Sequence, residues 1–281
     1  NKIEVYTLNQ ERSSEREGDG IMNNKNKSLA DKIPKRVWLL ISFAVAMLFW
    51  YILSIIPSTS RSFQNVVVVC QSIKTMIDRG VLGTDILSSL ISVVAGYVLG
   101  FVIALPVAIL MAWYKPVRYI IEPWIQFIRN IPPLAYVPLV VMAAGVGRKP
   151  QIIVIWIATF LIMTVTIYQG VRNIDNTLVK AARVLGAKDR DIFVKVIFPA
   201  TTPFILTAVR LGISVALTTL IAAETTGATA GLGMRIRSLA NSFETAGMLM
   251  YIIIIGIIGL VMEKIIKFLE GRLTGWQEKR E

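Results

Sequence analysis

Long apolar runs separated by short polar segments make up most of the chain after residue 36. A helix that crosses the hydrocarbon core of a bilayer needs about 20 mainly apolar residues. Six runs meet this requirement and are predicted to be transmembrane helices: Val37–Ile56, Asp85–Trp113, Pro123–Ala144, Gln151–Gln169, Thr202–Ala223 and Gly247–Phe268. The third run contains Pro132, Pro133 and Pro138, which should break or kink it. The pattern predicts an all-α membrane protein.

Charge gives the orientation of these helices. Only 17% of the 281 residues are charged, against about a quarter in soluble domains. The net charge of +12 is concentrated beside the apolar runs, which favours membrane orientation over nucleic-acid binding. Lys and Arg number 18 on one side of the predicted helices and seven on the other. The richer side should be cytoplasmic, which places both termini and the 172–195 loop there.

The composition also excludes several kinds of chemistry. The chain has no histidine and a single cysteine, Cys70, so we expect neither His-based acid–base catalysis nor an internal disulfide framework. No glycine-rich phosphate loop and no paired carboxylates or nucleophile–base set is present. The sequence therefore predicts a protein that is not an enzyme and has no metal site or cofactor of its own.

The ends of the chain are hydrophilic. Residues 1–36 contain no apolar core of the signal-peptide kind, and we expect a cytoplasmic segment in which 1–21 are an extension without function. Residues 37–270 form the predicted transmembrane domain, and 271–281 a cytoplasmic tail.

One cytoplasmic loop, residues 173–199, has the pattern of two short amphipathic helices, and we call it the elbow. In the first helix, Asp175 or Asn176 can cap the start, and Gly186 can end it in the left-handed conformation. Its apolar face is formed by Leu178, Ala181, Ala182 and Leu185. The face of the second helix is formed by Ile192, Phe193, Val196 and Ile197. Such exposed faces should dock on the membrane surface or in a groove of a soluble partner.

The elbow resembles the cytoplasmic motif of ABC-importer permeases, which reads E-A-A, three residues, G, nine residues, I-x-L-P. Here the corresponding residues are Lys180, Ala181, Ala182, Gly186, Val196, Ile197, Phe198 and Pro199. Lys180 replaces the family's Glu, which leaves the spacing intact. The resemblance implies that these residues couple the chain to an ATPase subunit, because in that family the elbow inserts into a groove there. ATP and Mg would then be bound by the partner and not by this chain.

Further segments resemble the nitrate/taurine/sulfonate/bicarbonate branch of that family. They are the stretches 129–139, 199–203, 210–212 and 222–224, together with Ala228–Gly233, which is most similar to taurine and alkanesulfonate members. The resemblance implies a type I ABC importer permease fold and a path for a small anion across the bacterial plasma membrane. The implied partners are a second copy of the chain, two ATPase subunits and an extracytoplasmic binding protein.

Several residues are candidates for the substrate path, each with a structural alternative. Arg129 could line the path or hold a neighbouring helix, and Arg210 could face a central cavity or pair with a carboxylate. Pro132 and Pro133 could form a cavity wall or merely distort a helix. Glu224 is more consistent with a structural role, with Arg235 or Arg237 as its partner.

Two threonines and a small-residue face have similar alternatives. Thr218 and Thr219 could contact cargo or bond to their own helix. Gly96, Gly100 and Ala104 recur every four residues and favour close helix packing, within one subunit or between two. A secondary transporter driven by an ion gradient is the alternative function. It predicts inverted repeats and central acids, and neither is evident in the sequence.

Overall fold

The structure, a computed structural model, describes residues 34–273, and the chain divides between Phe63 and Gln64 into two units. The predicted segments 1–21 and most of 1–36 and 271–281 lie outside the described residues. The first unit contains one described helix, α1, Lys35–Ile55. Helix α1 is apolar on all faces, as a membrane-spanning helix should be. It ends at Ile55, and the next residue, Ile56, has the extended backbone that suits a residue before a proline, here Pro57.

The second unit is all-helical and contains the rest of the predicted spans. Its elements in chain order are α2 Val66–Asp78, α3 Leu82–Trp113, α4 Lys115–Arg129, α5 Pro133–Ala144, α6 Arg148–Arg172, α7 Asn176–Val184, α8 Asp189–Ile192, a π-helical turn Phe193–Ile197, α9 Phe198–Gly227, α10 Leu232–Asn241 and α11 Thr245–Leu273. Among the described residues, five helices are long and apolar enough to cross a membrane, and the pair α4–α5 makes a sixth. The prediction of an all-α protein is confirmed, and the six predicted spans correspond to these five helices and the bent pair.

The third span differs from its prediction. It begins at Lys115, not at Pro123, and consists of two helices that meet at an angle of 101°. The break falls where Pro132 and Pro133 follow each other, because neither can donate a backbone hydrogen bond and Pro133 instead starts α5. Pro138 lies inside α5 without ending it.

Helix α6 forms the centre of the second unit, with α3 and α9 packed on it. A Cβ atom on Gly96 would lie 2.7 Å from Cβ of Ile155, and one on Gly100 would collide with Thr159. The small-residue face of α3 therefore serves close packing within one subunit, as the first of the two alternatives predicted.

Two outer helices were not predicted from the sequence. Helix α2 is capped by Asn65, whose side chain accepts a hydrogen bond from the Val67 amide at 3.0 Å. Helix α10 packs against both α9 and α11. Both helices are shorter than a span and carry polar residues, so a search for apolar runs does not detect them.

Candidate translocation path and coupling elbow

The first arm of the elbow is α7, and its start is capped as the sequence predicts. The Asp175 side chain accepts a hydrogen bond from the Thr177 amide at 2.8 Å. This bond favours the charged carboxylate and lowers the pKa of Asp175 below its usual value. An acidic cap also interacts favourably with the positive end of the helix dipole.

The turn at the end of α7 depends on Gly186. Its φ of +79° is the left-handed conformation that favours glycine. The Gly186 amide donates to the Arg183 carbonyl at 2.9 Å, and the Ala187 amide to the Ala182 carbonyl at 3.0 Å. This pair of bonds is a Schellman motif, which confirms the predicted left-handed turn between the two arms.

The second arm differs from the prediction of a separate short helix. Residues Asp189–Gly227 form one continuous helix of 39 residues, which joins the elbow to the spanning helix α9 without a break. A π-helical turn at Phe193–Ile197 lies within it. Pro199 explains this turn, because it lacks an N–H and its ring would clash with the carbonyl four residues earlier in a regular α-helix. The Phe198 amide bonds instead to Phe193, five residues back.

The elbow leaves much of its surface open. The apolar side chains of Leu178, Val184 and Leu185 are exposed, the last two at 87% and 85%. Of the predicted coupling residues, Lys180, Ala181, Gly186 and Phe198 are exposed, whereas Ala182, Val196 and Pro199 are partly buried. A cluster of exposed leucine and valine side chains next to a turn suits a partner groove.

A cavity of about 380 Å³ lies between the broken span and helices α6 and α9. We call it the central cavity. Its lining consists of Ile128, Arg129, Ile131, Pro133, Tyr136, Ala158, Leu161, Ile162, Ser214, Val215, Thr218 and Thr219. The α6 residues in this lining lie near the middle of a 25-residue span, so the cavity is close to half-way along the spanning helices.

Four of the predicted path residues meet at the central cavity. Arg129, the last residue of α4, lines it together with Pro133, Thr218 and Thr219. No carboxylate among residues 34–273 forms an ion pair with Arg129. The Thr218 hydroxyl donates to the Ser214 carbonyl at 2.9 Å, so its oxygen keeps only acceptor capacity in this geometry. The site thus combines one cation with hydroxyl groups in an otherwise apolar wall.

Arg210 lies elsewhere. Its guanidinium forms an ion pair with Glu270 of α11, and it lines a different cavity, between α9 and α11. This is the carboxylate pairing that the sequence left open as an alternative to a cavity-facing cation. Pro132 also does not line the central cavity, although it contributes to the break that shapes it.

Glu224 takes part in a largely buried group of polar residues at the ends of α3 and α9 that lie away from the elbow, which we call the outer polar cluster. Its members are Asp85, Ser89, Glu224, Arg235 and Tyr251. The amides of Gly231, Leu232 and Gly233 at the start of α10 donate to Asp85 at 3.1 Å, to Ser89 at 2.9 Å and to Glu224 at 2.7 Å, respectively. Side chains of α3 and α9 therefore cap the first turn of α10.

The suggested partners of Glu224 were wrong. Arg235 pairs with Asp85 at 2.8 Å, and Arg237 donates to the Thr225 carbonyl. The hydrogen bond from Arg235 to Asp85 raises the pKa of the Arg235 guanidinium above its usual value. The reason is positional: the Gly233 amide at the start of α10 donates to Glu224, and Arg235, two residues later, reaches Asp85 on α3. Asp85 itself was missed, although a carboxylate in the first turn of an apolar run is an available signal.

The close contact between the start of α10 and helix α9 explains the glycines of the Ala228–Gly233 stretch. A Cβ on Gly231, which has φ +143°, would collide with the Glu224 carboxylate. A Cβ on Gly233 would lie 2.9 Å from the Ile221 carbonyl oxygen. Backbone contact between α10 and α9 requires glycine at both positions.

Comparison with known families identifies this arrangement. The family described as "Binding-protein-dependent transport system inner membrane component" matches residues 100–275. This chain belongs to that family. Its spanning helices and elbow are therefore those of an ABC importer permease, and the chain is a transport component and not an enzyme. This finding also decides against the secondary transporter.

Curated relatives support the assignment. The permease is 43% identical over 240 residues to a protein of Brucella abortus named as an ABC transporter permease, covering 85% of this chain and 95% of the relative. It is 37% identical to the taurine transport system permease TauC of Escherichia coli, covering 61% and 62% of the two chains. It is 29% identical to the nitrate import permease NrtB of Synechocystis, covering 72% and 73%. These relatives confirm the branch that the sequence resembles.

A solved structure supports the fold. The inward-facing MetNI methionine ABC transporter superposes with a TM-score of 0.61 at 18% identity, covering 69% of the permease and 97% of that chain. The expected type I ABC importer permease fold is confirmed.

Proposed function

We propose that this permease forms the path of an ATP-driven importer for a small anion. Taurine or another alkanesulfonate is the first candidate, followed by nitrate or bicarbonate. The observation that carries the proposal is Arg129, a cation without a carboxylate partner among the described residues, at the wall of the central cavity. The Arg129 guanidinium is exposed at the cavity wall, where it can attract a sulfonate or nitrate and offers donors in a planar fork. The relatives named for taurine and nitrate support the same class of cargo.

The exposed elbow supports ATP-driven transport. Its apolar surface at Leu178, Val184 and Leu185 would fill a groove on an ATPase subunit, which binds ATP and Mg in place of this chain. We propose a homodimer with two ATPase subunits and an extracytoplasmic binding protein, in the bacterial plasma membrane with both termini cytoplasmic. One elbow per chain serves one ATPase, so two copies of the permease match two ATPases.

Reconstitution tests the cargo and the energy source together. The permease is purified with its ATPase subunit and placed in liposomes with its binding protein. Uptake is measured for taurine, an alkanesulfonate, nitrate, bicarbonate and methionine, with ATP or a non-hydrolysable analogue. ATP-dependent uptake of an anion supports the proposal. Uptake of methionine alone, or uptake that does not require ATP, contradicts it.

Labelling tests the orientation independently of cargo. In a background with Cys70 replaced by serine, single cysteines replace the exposed residues Lys188 and Arg148. A membrane-impermeant maleimide added to intact cells should react at position 148 and not at 188. The reverse pattern contradicts the topology.

A further inference from the structure

An aromatic contact joins the elbow to a spanning helix that does not follow it in sequence. Trp113 is the last residue of α3, and Phe193 is the first residue of the π-helical turn. Their ring centroids lie 5.2 Å apart with planes at 76°, an edge-to-face pair of the kind that stabilises beyond buried area alone. Ile192, beside Phe193, is almost fully buried. The second arm of the elbow is thus anchored at the inner end of α3.

The first arm of the elbow is not held in this way. A cavity of about 420 Å³ separates α7 from the inner ends of α3 and α6, with Ala112, Val171 and Val179 among its lining residues. Helix α7 packs mainly on α8 and the π-helical turn. It therefore has room to move relative to the spans, whereas Phe193 is in edge-to-face contact with Trp113, which is half-exposed beside the same cavity.

The spanning helix α9 continues directly from the second arm of the elbow. The continuous helix carries Phe193 at its inner part and Thr218 at the central cavity, roughly 25 residues or about 38 Å apart at 1.5 Å per residue. A tilt of about 5° around Phe193 would displace Thr218 by about 3 Å over that length. Helices kink at π-helical turns, so without support this turn would bend and absorb the tilt.

From these relations we infer that Trp113 is the pivot of the elbow. It is a positioning residue outside the elbow motif, and it supports the π-helical turn so that displacement of α7 tilts α9 and changes the central cavity. The inference rests on the proposed ATP-driven function. It means that α3 contributes to coupling through Trp113, in addition to residues 180–199 of the elbow motif.

A cysteine reporter in the central cavity tests the pivot without knowledge of the cargo. Ser214, which is exposed to the cavity, is replaced by cysteine in the Cys70→Ser background of the purified complex with its ATPase. The rate of alkylation by a small maleimide is measured with ATP and with ATP plus vanadate. In the parent the two rates should differ. Trp113→Ala should reduce that difference by about two- to twelvefold, the size expected for losing an edge-to-face pair, while ATP hydrolysis continues.

Matched variants separate positioning from general packing. Trp113→Phe keeps an aromatic ring and should retain most of the response to ATP. Trp113→Leu keeps apolar bulk but has no ring, and should lose the response. If Trp113→Ala fails to assemble, the comparison of Phe with Leu decides. Trp124→Ala removes another exposed tryptophan, on α4, and should behave like the parent.

The outcomes distinguish the inference from the function it rests on. If the alkylation rate responds to ATP equally in the parent and in Trp113→Ala or Trp113→Leu, Trp113 is not the pivot. The proposed importer function is then unaffected. Loss of hydrolysis in step with loss of response also overturns the pivot, because Trp113 would then serve ATPase binding. A parent with no ATP-dependent response contradicts both the importer cycle and the pivot, since a pivot requires a motion to transmit.

Discussion

Asp85 and Arg235, 150 residues apart in sequence, form an ion pair at 2.8 Å in which the carboxylate is fully buried. The same carboxylate accepts hydrogen bonds from the Gly231 amide and the Tyr251 hydroxyl. Through one side chain, α3 is thereby connected to both α10 and α11. The outer helix α10 is held to the spans by charge and backbone bonds as well as by apolar packing.

Removing Asp85 should strongly destabilise the permease. Asp85→Ala leaves the Arg235 guanidinium without its partner and the Gly231 amide without an acceptor, and breaking a buried pair in this way costs about 3–5 kcal/mol. Asp85→Asn keeps an acceptor and should cost less. The measurement is thermal unfolding of the detergent-solubilised protein.

The control for Asp85 is the half-exposed pair of Arg79 and Glu244, at 3.5 Å. Exposed pairs contribute about 0–1 kcal/mol, so Arg79→Ala should leave the unfolding temperature nearly unchanged. Equal effects of Asp85→Ala and Arg79→Ala would contradict the importance assigned to the outer polar cluster.

Gly231 should not tolerate alanine. Its φ of +143° and the Glu224 carboxylate against it both disfavour a Cβ, so Gly231→Ala should lower the yield of folded protein and its unfolding temperature. Gly83, in the first turn of α3, has open space around it and an ordinary backbone. Gly83→Ala should be neutral or stabilise by up to about 1 kcal/mol. Thermal unfolding of the two variants in parallel measures the contrast, and a stable Gly231→Ala protein would contradict the geometry at the start of α10.

Gly186→Val should uncouple transport from hydrolysis while the membrane fold stays intact. A Cβ atom at Gly186 would meet no atom within 4 Å, so the expected cost comes from the left-handed backbone, at about 1–2 kcal/mol. Gly186→Asn is the matched control, because asparagine adopts this conformation more readily. The readout is cargo transported per ATP hydrolysed, together with retention of the ATPase on the purified complex. Wild-type transport by Gly186→Val would disprove the need for this turn.

The spans and the elbow could be predicted because their signals are local. Apolar length gives the spans, and the Asp175 cap and Gly186 give α7, each within a few neighbouring residues. The outer polar cluster could not be predicted in the same way, since Asp85, Glu224 and Arg235 meet only after α3, α9 and α10 have packed. The two prolines located the break in the third span, but the 101° angle between α4 and α5 depends on packing against α6 and α9.

The last prediction concerns the two arginines that the sequence offered for an anionic cargo. Arg129 lines the central cavity, while Arg210 pairs with Glu270 away from it. Arg129→Met removes the charge and should abolish most transport with assembly normal, because an anion then enters a mainly apolar cavity whose lining has no other charged residue. Arg129→Lys keeps the charge but not the planar fork and should retain part of it. Arg210→Met should instead affect stability, and Arg210→Met together with Glu270→Gln should recover some of that loss, since the carboxylate that pairs with Arg210 is then removed as well. Uptake in liposomes and thermal unfolding are measured for all four proteins. Two results would assign the interaction with the anion to Arg210 and not to Arg129. One is normal anion uptake by Arg129→Met, and the other is a loss of uptake confined to Arg210→Met with stability unchanged.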